Sequence, residues 1–254
     1  MSTVPTPPMD PVRFADLLVG YCLDVKPEQR VLIRSTALAA PLLLEVERAV
    51  LERNAWPMVR VELPGQQANF FRHARDLHLD DVDELALREA KKVQCLLAIQ
   101  APYETNALAG VDPAKIARLS RGRSVIREAT MKKRWCSTLW PTEAGAEQAG
   151  LSLDDFGAFV RNAMFLGRPD PVAGWRELSQ FQDQVIERLK KVREIRVEAE
   201  GTDVTLSVHR RTWVNSDGRR NMPSGEVFTG PEESSANGCI RFTVPSSPAG
   251  VRVT

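Results

Sequence analysis

The chain has 254 residues, of which 43% are hydrophobic and 26% charged, with a formal net charge of +1. That composition supports one large globular domain or two modest ones. The near-neutral balance excludes a broad electrostatic attraction to nucleic acid or to an anionic membrane. No apolar run approaches the length of a membrane span. The N-terminal MSTVPTPPMD lacks the basic-then-apolar order of a secretory signal. The cysteines, Cys22, Cys95, Cys136 and Cys239, form no CxxC pair, which argues against a zinc knuckle or a thioredoxin-like site. Reduced, mostly buried thiols in a cytoplasmic protein are the expectation.

Residues 1–10 are rich in Pro, Ser and Thr and predict a flexible tail. Asp10-Pro11 caps and opens a helix to about Cys22, with Phe14, Leu17, Leu18 and Tyr21 at helical spacing. Arg30 to Thr36, RVLIRST, reads as a short apolar strand. Pro41 opens the helix PLLLEVERAVLERN, and MVRVEL follows as a second strand. Together these make a βαβ unit with parallel strands and a right-handed crossover. A helical run from Asp80-Asp81 to about Lys92 precedes the strand Gln94 to Gln100, QCLLAIQ. A helix starts at Asp112-Pro113, a strand spans Lys132 to Thr138, and helices are predicted over 142–149, 153–165 and 172–192. Residues 11–192 thus predict an α/β domain with a doubly wound, mostly parallel sheet.

At Ile195 the hydrophobic period changes. Ile195-Arg196-Val197-Glu198-Ala199 and Val204-Thr205-Leu206-Ser207-Val208 alternate, joined by Gly201-Thr202-Asp203, as in an antiparallel hairpin with one dry face. Another turn is expected at Asn215-Ser216-Asp217-Gly218. Residues 193–254 are therefore read as a truncated antiparallel β domain. Gly250 to Thr254 alternates like the opening of one more strand, and its unpaired edge suggests a polypeptide cut short.

The phosphate-loop, GxGxxG, GxSxG and HExxH patterns are absent. His73 and His78 stand five apart, too far out of phase to share one helix face. With Asp76, Asp80, Asp81 and Asp83 they read either as a metal site or as a solvated acidic helix start. His209, at the end of VTLSVH, has no evident partner. Lys115 to Arg134 is strongly basic and is followed by Trp135 and Trp140. It reads as a face paired with acids elsewhere or as a single-strand nucleic-acid patch, with the overall charge against the second. In NMPSGEVFTGP, Pro223 and Gly225 shape a turn and Glu226 leaves at the start of a strand. A carboxylate aimed by a rigid strand end suits a hard cation, and an edge-strand surface charge is the competing reading.

NMPSGEVFTGP, followed by Glu232-Glu233-Ser234 and Gly238-Cys239-Ile240-Arg241-Phe242, resembles the signature region of the thermophilic metalloaminopeptidases, the aminopeptidase T and aminopeptidase S group. Leu17-Leu18-Val19, Val25 to Ile33 and Leu38 to Leu42 resemble that family's first helix, strand and second helix. The resemblance implies a metal-dependent enzyme that releases N-terminal amino acids from peptides, using two divalent ions, zinc or cobalt. It makes Glu226 the first metal-ligating glutamate and implies a homodimer. The family's remaining ligands, a glutamate, two histidines, an aspartate and a tyrosine, come later than this sequence reaches. The expectation is an incomplete metal-site domain over 193–254, and a chain that is inactive alone. The alternative is a non-catalytic module that binds a small molecule or mediates dimerisation.

Overall fold

The computed structural model describes residues 9–243, and the alternating run at 250–254 lies outside them. Of the expected tail, residues 1–8 also lie outside, but the last two belong to the fold. Met9 is buried, and the Asp10 carboxylate accepts from the N–H groups of Val12 and Arg13 at 3.0 and 3.3 Å. It thereby caps α1 (Pro11–Asp16), where Pro11 needs no donor. The helix widens into a π-helical turn, Leu17–Cys22, with Leu17, Leu18, Val19, Tyr21 and Cys22 all buried.

The chain divides into two compact units. The first holds residues up to Gly174 and Gly218–Pro223, and the second holds Trp175–Asp217 and the chain from Ser224 on. In the first, β1 (Arg30–Thr36), α2 (Ala40–Glu52) and β2 (Trp56–Glu62) form the expected βαβ unit. Arg30 to Thr36 pairs in parallel with Trp56 to Glu62. Helix α2 turns Leu42, Val46, Ala49 and Val50 inward, the 3.6-residue stripe visible in the sequence. Then follow α3 (Gln66–His73), α4 (Asp76–Asp80), α5 (Glu84–Lys92), β3 (Cys95–Gln100), α6 (Pro113–Gly122), α7 (Ser124–Met131), β4 (Arg134–Leu139), α8 (Glu143–Ala149) and α9 (Leu153–Ala163). Helices α3 and α4 were not expected. Each buries one side chain, Phe71 and Leu79, and is too short to display a helical period.

Helix α10 (Pro171–Leu189) leads into the hairpin β5 (Glu194–Ala199) and β6 (Thr202–Ser207). Ile195 lies opposite Leu206 and Val197 opposite Val204, the register the alternation predicts, but the expected dry face is partial, since Val204 is buried while Val197 is 44% exposed. The second unit begins at Trp175 rather than at 192, because α10 from that point groups with the strands that follow it. The remaining strands are β7 (Val214–Ser216), β8 (Asn221–Met222), β9 (Glu226–Phe228) and β10 (Asn237–Cys239). Strand β10 pairs antiparallel with β6, and β7 with β9.

One strand departs from the mostly antiparallel structure expected after 192. Asn221 and Met222 pair in parallel with Ser137 and Thr138. Among the described residues the main sheet is therefore five parallel strands in the order β2-β1-β3-β4-β8. The Thr138 hydroxyl donates to the Met222 carbonyl at 2.7 Å. A two-residue strand shows no period, so the sequence could not announce it. The architecture is the expected doubly wound α/β fold, followed by two smaller antiparallel sheets among the described residues.

Candidate functional site

NMPSGEVFTGP is divided between the units at Pro223 and Ser224. The peptide bond from Met222 to Pro223 is cis. Gly225 sits at φ +108°, a region L side chains rarely adopt, and a Cβ there would come within 3.2 Å of Leu178. Its N–H donates to the Ser216 carbonyl at 3.0 Å. The Ser216 and Ser224 hydroxyls are 2.5 Å apart. This turn delivers Glu226 as the first residue of β9, directly opposite Ser216 on β7.

The backbone at Glu226 is fixed from behind. Gln182, 3% exposed on α10, donates its amide to the Glu226 carbonyl at 2.7 Å. Asn215 on β7 donates to the Ser179 carbonyl at 3.0 Å and to the Asp183 carboxylate at 2.8 Å. The Glu226 side chain is exposed, and its carboxylate has no hydrogen bond or ion pair among the described residues. The strand end is held while the carboxylate keeps its acceptor capacity. Two other acceptors in this unit, Gln182 Oε1 and Asn215 Oδ1, are buried without a partner. Gln182 was legible as an anomaly, since it occupies the stripe of Trp175, Leu178 and Ile186. Asn215 was read only as a turn residue.

The other candidates resolve differently. His73 ends α3, and His78 Nδ1 accepts from the Arg75 N–H at 3.1 Å. Asp76 and Asp80 pair with Arg118, which bonds Asp76 at 2.7 Å and both oxygens of Asp80. The Arg118 hydrogen bond holds the Asp80 carboxyl below its usual range. Part of the basic run is accordingly engaged: Lys115 donates to the Phe71 carbonyl, Arg134 to the carbonyls of Leu23 and Asp24, and Lys133 to that of Lys91. His209 lies in an exposed turn, since β6 stops at Ser207. Cys22, Cys95 and Cys136 are buried and Cys239 is exposed. Among the described residues no helix is long and apolar enough to cross a membrane.

Comparison with known proteins places the chain in a metalloprotease family. A model of the thermophilic metalloprotease (M29) family matches residues 11–254, and the chain belongs to that family. The resemblance seen in NMPSGEVFTGP is thereby confirmed. The chain is 27% identical to aminopeptidase 2 of Geobacillus stearothermophilus, over 92% of this chain and 63% of that protein. It is 28% identical to aminopeptidase PepS of Streptococcus thermophilus, over 56% of this chain and 36% of that one. The chain thus spans less than two thirds of the length of these relatives. The solved structure of wild-type AmpT from Thermus thermophilus superposes with a TM-score of 0.77 at 19% identity, covering 96% of this chain and 67% of that one. That likeness shows the fold.

A metalloprotease family implies a divalent metal, and the donor set can be tested against it. No group of three or more His, Cys, Asp or Glu side chains among the described residues could hold a metal ion. Glu226 alone supplies one carboxylate, where a divalent cation takes about four or more donors. The described residues therefore do not fit a metal centre by themselves.

Proposed function

We propose that the chain is part of a metal-dependent aminopeptidase that removes N-terminal residues from peptides, and that Glu226 is one of its metal-ligating carboxylates. The observation that carries this is the geometry at β9. A turn shaped by Gly225 and a hydrogen bond from buried Gln182 fix the strand end, while the Glu226 carboxylate is left without a partner. A surface charge would need neither device. Membership of the metalloprotease family supports the reading. The proposal extends to two divalent ions, zinc or cobalt, to a peptide substrate and to a cytoplasmic homodimer. This chain's own contribution is to present and orient one carboxylate.

Two measurements test it. The purified 254-residue chain should release amino acid from aminoacyl reporters no faster than background, because one carboxylate does not hold a cation against water. Chelator-sensitive release by that chain would overturn this part. If the reading frame continues past Thr254, the longer product should bind zinc or cobalt and hydrolyse the reporters. Glu226→Gln in that product should keep the fold. It should weaken metal affinity by more than the roughly 10–100-fold seen for residues that only support ligands. Equal affinity and turnover in wild type and variant would return Glu226 to a surface charge.

A further inference from the structure

A second feature of the fold lies wholly in the first unit. The sheet order reverses direction between β1 and β3, with β2 laid to one side of β1 and β3 to the other. The loops leaving β1 and β3 diverge there, which is where doubly wound sheets open a crevice at the carboxyl ends of their strands. A cleft of about 730 Å³ occupies that place, lined by the ends of β1, β2 and β3 and by the segments following β2 and β3. Its size falls within the range of small-molecule sites, roughly 300–1,000 Å³.

The cleft is braced. The Tyr103 hydroxyl accepts from the Ala37 N–H at 3.0 Å and donates to the Glu62 carbonyl at 3.2 Å. The Thr36 hydroxyl donates to the Ala101 carbonyl at 2.6 Å, and Ser35 to that of Ile99 at 2.9 Å. The three strand ends are thereby tied together, so the cavity exists before any ligand arrives.

Its charges are the unexplained part. Strand β1 has a neighbour on both sides, and Val31, Leu32 and Ile33 are fully buried. Interior strands of parallel sheets are usually apolar throughout. Yet Arg34 follows, its side chain 44% exposed in the cleft. It lies in register with Arg60 of β2, and like charges directly opposite repel. Glu89 of α5 is shared between them, at 2.5 Å from Arg60 but 3.9 Å from Arg34. Arg34 thus keeps donors to spare. Two residues beyond Arg60 on the same face of β2 stands Glu62, with Glu104 in the segment after β3, and both line the cleft. Neither carboxylate has an ion pair or hydrogen bond among the described residues. The Cα atoms of Arg60 and Glu62 stand about 6.6 Å apart along β2, at 3.3 Å per residue, and cationic and anionic side chains share the one cleft.

We propose that this cleft binds a small zwitterion, a free amino acid or a dipeptide, with its carboxylate on Arg34 and its ammonium group at Glu62 and Glu104. A guanidinium with free donors receives a carboxylate through paired hydrogen bonds, and the two carboxylates without partners in the same cleft can receive the ammonium group. The cavity leaves room for a side chain. This proposal does not rest on the peptidase reading.

The test is calorimetric titration of the full chain with alanyl-alanine in the presence of a chelator, which silences metal-dependent binding and hydrolysis. Saturable binding is expected. N-acetyl-alanyl-alanine and alanyl-alanine amide, each lacking one charge, should bind about tenfold or more weakly. Arg34→Gln should weaken the dipeptide by a similar factor. Glu104→Gln should weaken the dipeptide but leave the N-acetyl form unchanged. Both sites are exposed, and thermal unfolding checks that each variant folds. Equal binding of the three peptides, no binding at millimolar concentration, or dipeptide binding unaffected by both variants would overturn the proposal. So would inorganic phosphate or AMP binding more tightly than the dipeptide, which would mark the arginine pair as a phosphate site. Failure here leaves the peptidase reading intact, and absence of metal-dependent turnover in the longer product leaves this cleft intact.

Discussion

At Glu226 the strand backbone is held while the side-chain oxygens are left unused. The fixing partner is Gln182, and its cost is visible, since its own Oε1 is buried without a donor. A buried amide in that condition persists where its position matters, because an apolar residue would fill the same stripe with less desolvation. Gln182→Ala should therefore destabilise the second unit by about 1–3 kcal/mol, the range for leaving a buried partner unsatisfied. It should also loosen β9, read as faster amide exchange at Val227 and Phe228. Unchanged urea unfolding together with unchanged exchange would remove Gln182 from any role in holding Glu226.

At the scale of elements, β10 depends on one glycine. Gly238 has φ +127°, and a Cβ there would lie 2.0 Å from the Asp203 carbonyl oxygen and 2.9 Å from the Val204 Cα. Both neighbours are backbone of β6, which cannot yield without breaking the pairing of Asn237–Cys239 with Asp203–Thr205. Gly238→Ala should detach β10, at a cost of about 1–3 kcal/mol from the strained backbone alone, with loss of amide protection at Cys239. Native protection in that variant would show the close approach to be absent. The β5–β6 hairpin carries a paired Arg196 and Asp203, at 2.9 and 2.8 Å. The Arg196 hydrogen bond holds the Asp203 carboxyl below its ordinary 3.8. Because the folded value is depressed, the stabilisation is present above 3.8 and is lost as pH falls through the lower folded value. The pair is exposed, so the effect should be small and should fade in high salt. Urea midpoints followed below pH 5 should fall less steeply in Asp203→Asn than in wild type. Identical slopes would mean the pair contributes nothing.

At the scale of the molecule, the chain returns to its own first unit to finish the sheet. Met222 reaches β4 across 84 residues and is 1% exposed. Met222→Ala should destabilise the first unit by about 2–5 kcal/mol, as for other buried methionines. The same change at Met131, 51% exposed, should be nearly neutral. Denaturant unfolding of the two variants, followed by tryptophan fluorescence, makes the comparison. Equal stability would show that β8 adds no structure that the first 174 residues lack.

The sequence by itself determined the parts governed by local period and local turn chemistry. The βαβ text at 30–62, the apolar strand QCLLAIQ, the alternation at Ile195 and the turn before Glu226 each carry their structure within a few residues, because backbone propensity and side-chain direction repeat at 3.6 or 2. NMPSGEVFTGP likewise carried the family. What only the tertiary structure decided depends on residues far apart in the chain. The joining of Asn221 and Met222 to β4, the grouping of α10 from Trp175 with the later strands, and the support of Glu226 by Gln182 leave no local period to read. The charged cleft is the clearest case. Arg34, Arg60, Glu62 and Glu104 look like ordinary surface charges in sequence, and only the order in which the strands are laid down brings them to one crevice.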